Sequence, residues 1–339
     1  MLFMKKILYI GNRLSTKNST VTSVDTLGSF LEKEGYPVRK YSNKKNKLLR
    51  LLSMCAAVFK FRKSTDIILI DTYSTQNFYY AWIVAWCANT VNIPYVPILR
   101  GGNLPERLKT DPQKCNFLFK HAKVNVSPSR YLLKFFNDFG YSNVIYIPNS
   151  IQIEYYQFKK RKITPKLLWV RSFSKIYNPL LAVKTLENLL NDYPDATLCM
   201  IGPEKDGSLE DCKTYVKNHH LPVTFTGKLE KNEWINLADE YSIFINTTNF
   251  DNTPISVIEA MALGLPVVST NVGGIPFLLE HDKDAQLVEP ENSIAFTEAV
   301  RKILHHPEMA EKLANKAREK AESFDWEKVK HYWFKLLDE

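Results

Sequence analysis

Short apolar, β-branched runs alternate with helical stretches along the whole chain, and this alternation constrains the fold more than any other feature. In the first half the runs fall at Lys6–Ile10, Val38–Tyr41, Asp66–Asp71, Tyr95–Leu99, Lys123–Val126 and Val144–Ile147. Helical patterns lie between them, among them Thr20–Glu34, Asn77–Asn89 and Ser129–Phe139. The runs are nearly continuous in apolar residues, as in strands covered on both faces, and strand–helix alternation of this kind predicts a doubly wound parallel sheet. The pattern breaks at Ile147-Pro148-Asn149-Ser150 and at a charged stretch, Lys159–Lys162. It restarts with Leu167–Val170, Thr197–Ile201, Val223–Thr226, Ser242–Asn246, Val267–Ser269 and Gln286–Val288. The sequence therefore predicts two α/β domains, residues 1–149 and 150–322, followed by a C-terminal helix, 323–339, returning toward the first. A chain of 339 residues is long enough for both to bury a core.

Several function classes fall away early. The five cysteines (Cys55, Cys87, Cys115, Cys199, Cys212) form no Cys-x-x-Cys pair, which argues against a zinc ribbon or disulfide framework and for a reducing, cytoplasmic setting. The apolar run Ile7–Ile10 is too short for a signal peptide, and Phe78–Ala88 has about half of the ~20 residues a membrane span needs. No Gly-x-Gly-x-x-Gly or P-loop sequence occurs. The histidine pairs His219-His220 and His305-His306 lack metal-ligand spacing, and Ser127-Pro-Ser129 reads as a helix cap because no nucleophile elbow surrounds it.

Charge is unevenly placed: residues 1–150 hold 22 Lys/Arg and 8 Asp/Glu, while the chain as a whole carries +9. Lys44, Lys45, Lys47, Arg50, Lys60, Arg62 and Lys63 bracket the apolar segment Leu48–Phe61. Such a basic amphipathic helix suits an anionic membrane surface, such as the inner face of the plasma membrane. It equally suits a surface helix whose apolar side faces the core. Nucleic acid is not expected as a partner, because no helix-turn-helix, zinc finger or aromatic RNA-binding motif accompanies the charge.

The segment Asn249–Pro266 carries the most chemistry. Thr253 reads as a helix N-cap, Pro254 as the first helical residue, and Gly264 with Pro266 as the stop, giving a mostly apolar helix over Pro254–Leu263. Glu259 lies in its middle, where a carboxylate is costly unless paired. Two ribose hydroxyls would satisfy it, with a phosphate at the helix N-terminus; so would a buried Arg or Lys. Asp251, in the loop entering the helix, is placed either to touch such a ligand or to serve as an ordinary turn residue.

The spacing Asp251-x7-Glu259, with Ala-Met-Ala-x-Gly-x-Pro-Val-Val and Asn271-Val-Gly-Gly274, resembles the retaining glycosyltransferases of family 4 (glycosyl transferases group 1). These have the GT-B fold, two Rossmann-like domains facing across a cleft. Ile147-Pro-Asn149, Arg171, Ile201-Gly-Pro203 and Phe225-Thr-Gly227 extend the resemblance along the second half. It implies transfer of a sugar from a nucleotide diphosphate donor, UDP- or GDP-linked, to a hydroxyl of a glycan or lipid-linked acceptor in cell-surface polysaccharide biosynthesis. The donor would bind the C-terminal domain and the acceptor the N-terminal one. Carried residue by residue, the resemblance makes Asp251, Arg171 and Lys175 catalytic, with Arg171 stabilising the leaving diphosphate. It assigns Glu259 to the donor ribose, and Thr253, Pro254, Ile255, Gly202, Gly227 and Leu229 to the rest of the donor site. No Asp-x-Asp motif is present, so a metal-independent site with no cofactor is expected.

This sequence departs from the family pattern at several points. Asp251 is one methylene shorter than the usual Glu, and Pro254 removes an amide from the turn that meets the donor. Lys175 follows Arg171 by four residues where five is usual. The loop Gly11-Asn12-Arg13 lacks a Gly-Gly pair, leaving Ser19 and Thr20 as substitutes. Arg100-Gly101-Gly102-Asn103 stands where a histidine is usual, either contacting a diphosphate or anionic acceptor or forming a tight turn with an exposed Arg. These departures keep two alternatives open: a non-catalytic nucleotide-sugar-binding or partner subunit, and a GT-B nucleotide-sugar epimerase.

Overall fold

A computed structural model describes residues 4–13 and 22–339. The chain divides into two compact units, one made of the residues up to Pro148 with Val329–Glu339, the other of Asn149–Lys328. The last helix, Trp326–Asp338, begins in the second unit and ends in the first. There the Tyr36 hydroxyl donates to Asp338 at 2.9 Å, and Lys330 pairs with Glu34 at 3.3 Å.

The first unit contains β1 (Ile7–Ile10), β2 (Val38–Tyr41), β3 (Ile67–Thr72), β4 (Tyr95–Leu99), β5 (Asn125–Ser127) and β6 (Val144–Tyr146), all parallel in the order β2-β1-β3-β4-β5-β6. The second contains β7 (Lys166–Val170), β8 (Thr197–Ile201), β9 (Val223–Gly227), β10 (Ile243–Asn246), β11 (Val267–Thr270) and β12 (Gln286–Val288), parallel in the order β12-β11-β10-β7-β8-β9. Every strand expected from the sequence is present, with ends moved by one or two residues.

The apolar runs are continuous because each central strand feeds two cores. In β7, Leu168 joins one buried cluster while Leu167 and Trp169 join another; in β10, Phe244 goes to the first and Ile243 and Ile245 to the second. Successive side chains of a strand point to opposite faces, so a sheet covered on both sides needs an apolar residue at every position. Strand order reverses between β1 and β3 in the first unit and between β7 and β10 in the second. At such a switch point the loops leaving adjacent strands diverge, and the carboxyl edge of the sheet offers a crevice.

The helix within Asn249–Pro266 is shorter than expected, Ile255–Ala262. Pro254 occupies the N-cap position in extended conformation (φ −69°, ψ 120°), so Thr253 is not the cap. Contacts from distant residues hold the loop extended through Pro254: Asn149 donates to the Thr253 carbonyl at 3.3 Å, and the Gly274 amide to the Asp251 carbonyl at 2.8 Å. The stop is as expected, with Gly264 left-handed at φ +77°.

Candidate functional site

In the second unit the switch point brings together residues 80 positions apart. Arg171 follows β7, and its amide donates to the Ile201 carbonyl at 3.0 Å; Asp251 follows β10. The Arg171 guanidinium pairs with the Asp251 carboxylate and lies 4.3 Å from the Tyr177 ring centroid. Asp251 Oδ1 also accepts the Asn252 amide at 2.8 Å. Burial pulls the guanidinium below its ordinary pKa and Tyr177 opposes the shift, yet an arginine remains a cation in any protein. Its Nε is buried with no hydrogen-bond partner, as is the hydroxyl of Ser256, the second residue of helix Ile255–Ala262. Buried polar groups in native proteins are nearly always paired, and these two follow the neighbouring strands β7 and β10.

Gly202 explains how the backbone closes around Arg171. Its amide donates to the Gly227 carbonyl at 2.9 Å, its φ is +153°, and a Cβ there would overlap the Arg171 carbonyl. Only glycine fits such an approach.

Glu259 is 5% exposed and bound on one side. Its Oε1 accepts the Tyr156 hydroxyl at 2.6 Å and the Lys231 ammonium at 2.6 Å. The lysine alternative read from the sequence is therefore present, with an exposed lysine in place of a buried one. Lys175 does not join the pair formed by Arg171 and Asp251. It sits exposed on the turn Lys175–Tyr177, with its amide donating to Asp206 at 2.9 Å. Gly227 ends β9 at φ +71°, Leu229 packs against one core of this unit, and Ile255 is 39% exposed at the start of its helix.

In the first unit Arg100 is not the exposed turn residue that one sequence alternative describes. Its side chain is 12% exposed and pairs with Asp71 at 3.1 Å, and it also reaches the Tyr9 hydroxyl at 3.4 Å; that hydroxyl donates to Asp71 at 2.9 Å. Burial raises the Asp71 carboxyl above its usual range, and Arg100 opposes that shift. Gly101 donates its amide to the Thr72 carbonyl at 3.1 Å and packs against the Ser74 backbone; Gly102 is half-buried, and Asn103 is exposed before the helix Leu104–Thr110. Ser19 and Thr20 lie outside the described residues. No cluster of three or more His, Cys, Asp or Glu is arranged to hold a metal among the described residues.

Sequence reasoning missed Tyr156, Lys231, Tyr177, Tyr9 and Asp71. None lies in a motif, and each reaches its partner from far along the chain except Tyr177, which lies six residues after Arg171.

Two doubly wound six-stranded parallel sheets in one chain are the GT-B fold. The match to sucrose-phosphate synthase from Thermosynechococcus elongatus has a TM-score of 0.79 at 15% identity and covers 98% of both chains. Anabaena HepE, solved in complex with UDP and glucose, matches with a TM-score of 0.78 at 17% identity over 98% of this chain and 99% of that one. The family model described as "Glycosyl transferases group 1" matches residues 153–320, so the second unit is a domain of that family. Spore coat protein SA of Bacillus subtilis (strain 168) is 28% identical over 174 residues, 48% of this chain and 46% of the relative. Sulfoquinovosyl transferase SQD2 of Arabidopsis thaliana is 29% identical over 149 residues, 43% and 28% respectively. The match thus spans less than half the length of either curated relative.

Proposed function

We propose that the chain is a retaining glycosyltransferase that moves a sugar from a nucleotide diphosphate donor to a hydroxyl of a glycan or lipid-linked acceptor. The observation that carries this reading is the set of groups at the second unit's switch point: a half-buried arginine with an unsatisfied Nε, an unsatisfied serine hydroxyl in a helix's first turn, and a buried glutamate with a free oxygen. Departure of a nucleoside diphosphate places growing negative charge on the phosphate. A fixed guanidinium and a helix N-terminus stabilise that charge without a metal. Arg171 takes the diphosphate and Asp251 faces the transferred sugar, while Glu259 holds the ribose. Gly202, Gly227 and Leu229 border the base. No cofactor is needed beyond the nucleotide sugar, and UDP is the first nucleotide to test because Anabaena HepE was solved with it. The acceptor is assigned to the first unit, where Arg100 is fixed at the carboxyl edge of the sheet.

The first unit also supports action at an anionic membrane face, in the cytoplasm, for cell-surface polysaccharide synthesis. No acidic residue lies between Glu34 and Asp66. Within that interval helix Lys47–Phe61 leaves Leu48, Leu49, Leu52 and Phe59 exposed, by 65%, 56%, 56% and 40%. Met54, Ala57 and Val58 of the same helix are buried, so the helix has one apolar side on the core and a second that is exposed. No described helix is long and apolar enough to cross a membrane.

The test is incubation with an α-linked nucleotide sugar and simple alcohol acceptors in a chelator, with the anomeric coupling of the product read by NMR. An α-linked product is expected. A β-linked product overturns retention, and epimerised donor without transfer favours the epimerase alternative. Nucleotide binding with no chemistry favours the binding subunit.

A further inference from the structure

Glu259 is held by a cation that no sequence motif marks. Lys231 opens the helix Lys231–Leu237, whose start is fixed by a capping box between Glu230 and Glu233. Its side chain is 53% exposed, yet the ammonium reaches a carboxylate that is 6% exposed. Tyr156 approaches the same oxygen from the interior, where its ring is 1% exposed. One guanidinium ties Tyr156 to the helix that carries Glu259: Arg318 donates to the Tyr156 carbonyl and to the Ala262 carbonyl, both at 2.6 Å. The Lys231 ammonium also lies 5.8 Å from the Tyr156 ring centroid. Burial first, and the neighbouring carboxylate second, push the Tyr156 phenol far above its usual range, so it stays a donor.

Both bonds fall on Oε1. Oε2 accepts no hydrogen bond among the described residues and is not sealed from solvent. A carboxylate at this depth keeps its charge only with close compensation, and two charge-assisted bonds supply it. The compensation is asymmetric and leaves Oε2 as an acceptor.

We propose that Tyr156 and Lys231 are positioning residues of the donor site, which together fix the Glu259 carboxylate through Oε1 and leave Oε2 to accept a ribose hydroxyl of a nucleoside diphosphate. The assignment rests on the donor reading above. It adds a lysine to the site besides Lys175, which is exposed and whose amide donates to Asp206. Lys231 acts through Glu259: removing its charge leaves the buried carboxylate uncompensated, and the loss appears as weaker nucleotide binding.

The experiment is calorimetric titration of UDP, GDP and ADP into the full chain. The proteins are wild type, Glu259→Gln, Tyr156→Phe, Lys231→Met, Lys231→Arg and the Lys231→Met/Glu259→Gln pair. Lys231→Met is expected to weaken binding by about tenfold or more, and Tyr156→Phe by about threefold. Lys231→Arg should recover wild-type affinity to within about threefold, because it keeps the charge. In the Glu259→Gln background Lys231→Met should cost nothing further, the mark of one residue acting through another. Wild-type affinity in Lys231→Met, or an equal loss in both backgrounds, overturns the assignment. If Lys231→Met does not fold, Lys231→Arg and Tyr156→Phe still decide: loss in the first or none in the second counts against it. Denaturation of the same set without nucleotide reads the Lys231–Glu259 coupling directly. A wild-type protein that binds no nucleotide while that coupling is present refutes the donor reading rather than the pairing.

Discussion

Replacing Arg171 with methionine leaves the Asp251 carboxylate in place and removes its counter-ion. The two side chains are 18% and 11% exposed, so water screens the stranded charge only slightly. The Asn252 amide at 2.8 Å remains as one hydrogen bond to Oδ1. Breaking a buried pair on one side costs about 3–5 kcal/mol; the residual exposure places this one near about 3 kcal/mol. Loss of the contact with the Tyr177 ring adds about 0.5–1 kcal/mol. For a unit of this size the sum lowers the thermal midpoint by roughly 7–16 °C. Denaturant unfolding of the wild type, Arg171→Met, and Arg171→Met with Asp251→Leu measures it. The double variant should recover most of the loss, since the stranded charge is gone. A loss under about 1 kcal/mol in Arg171→Met, the range of exposed pairs, would refute the reasoning and place the pair in solvent.

Ser256→Ala should leave stability unchanged or raise it by up to about 1 kcal/mol, because it deletes a buried hydroxyl with no partner, while weakening nucleotide binding in calorimetry. Gly202→Ala should abolish the folded second unit in circular dichroism, because the added Cβ overlaps the Arg171 carbonyl. The Ser208 hydroxyl, the Lys175 amide and the Ser174 hydroxyl hold the Asp206 carboxyl at about 2, below its ordinary 3.8. A depressed carboxyl stabilises the fold above its unfolded pKa and loses that effect as pH falls through the folded one. Asp206→Asn should therefore lower the denaturation midpoint at pH 7, with the difference shrinking below about pH 4 and lost as pH falls through about 2. Leu48→Asp with Leu52→Asp should change stability by less than about 1 kcal/mol, given their exposure, while abolishing sedimentation with phosphatidylglycerol vesicles at low salt.

The strands were legible because β7 and β10 carry the unbroken apolar runs Leu167–Val170 and Ile243–Ile245, as a sheet covered on both faces requires. The stop of helix Ile255–Ala262 was legible too, since Gly264 requires a left-handed conformation that glycine supplies locally. Its start was not: Thr253 has the chemistry of a cap, but Asn149 and Gly274 hold the loop extended one residue further, and neither contact leaves a local trace. The same limit explains Arg100. Its burial depends on Asp71 and Tyr9, 29 and 91 positions earlier, so the sequence left open whether this arginine before two glycines meets an anion or lies exposed in a turn. Glu259 announced itself as an acid in an apolar helix. Its partners could not be named, because Tyr156 lies 103 residues before it and Lys231 belongs to an ordinary charged helix start.

The most direct test of the account is a thermal-shift panel of UDP, GDP, ADP and their sugar conjugates on the full chain with a chelator present. A nucleotide at about a hundredfold over its Kd adds roughly 2.7 kcal/mol to the folded state, a shift of several degrees. The account predicts that one nucleotide family stands out without a metal, and that Glu259→Gln and Ser256→Ala both shrink its shift. A flat panel on demonstrably folded protein would contradict it.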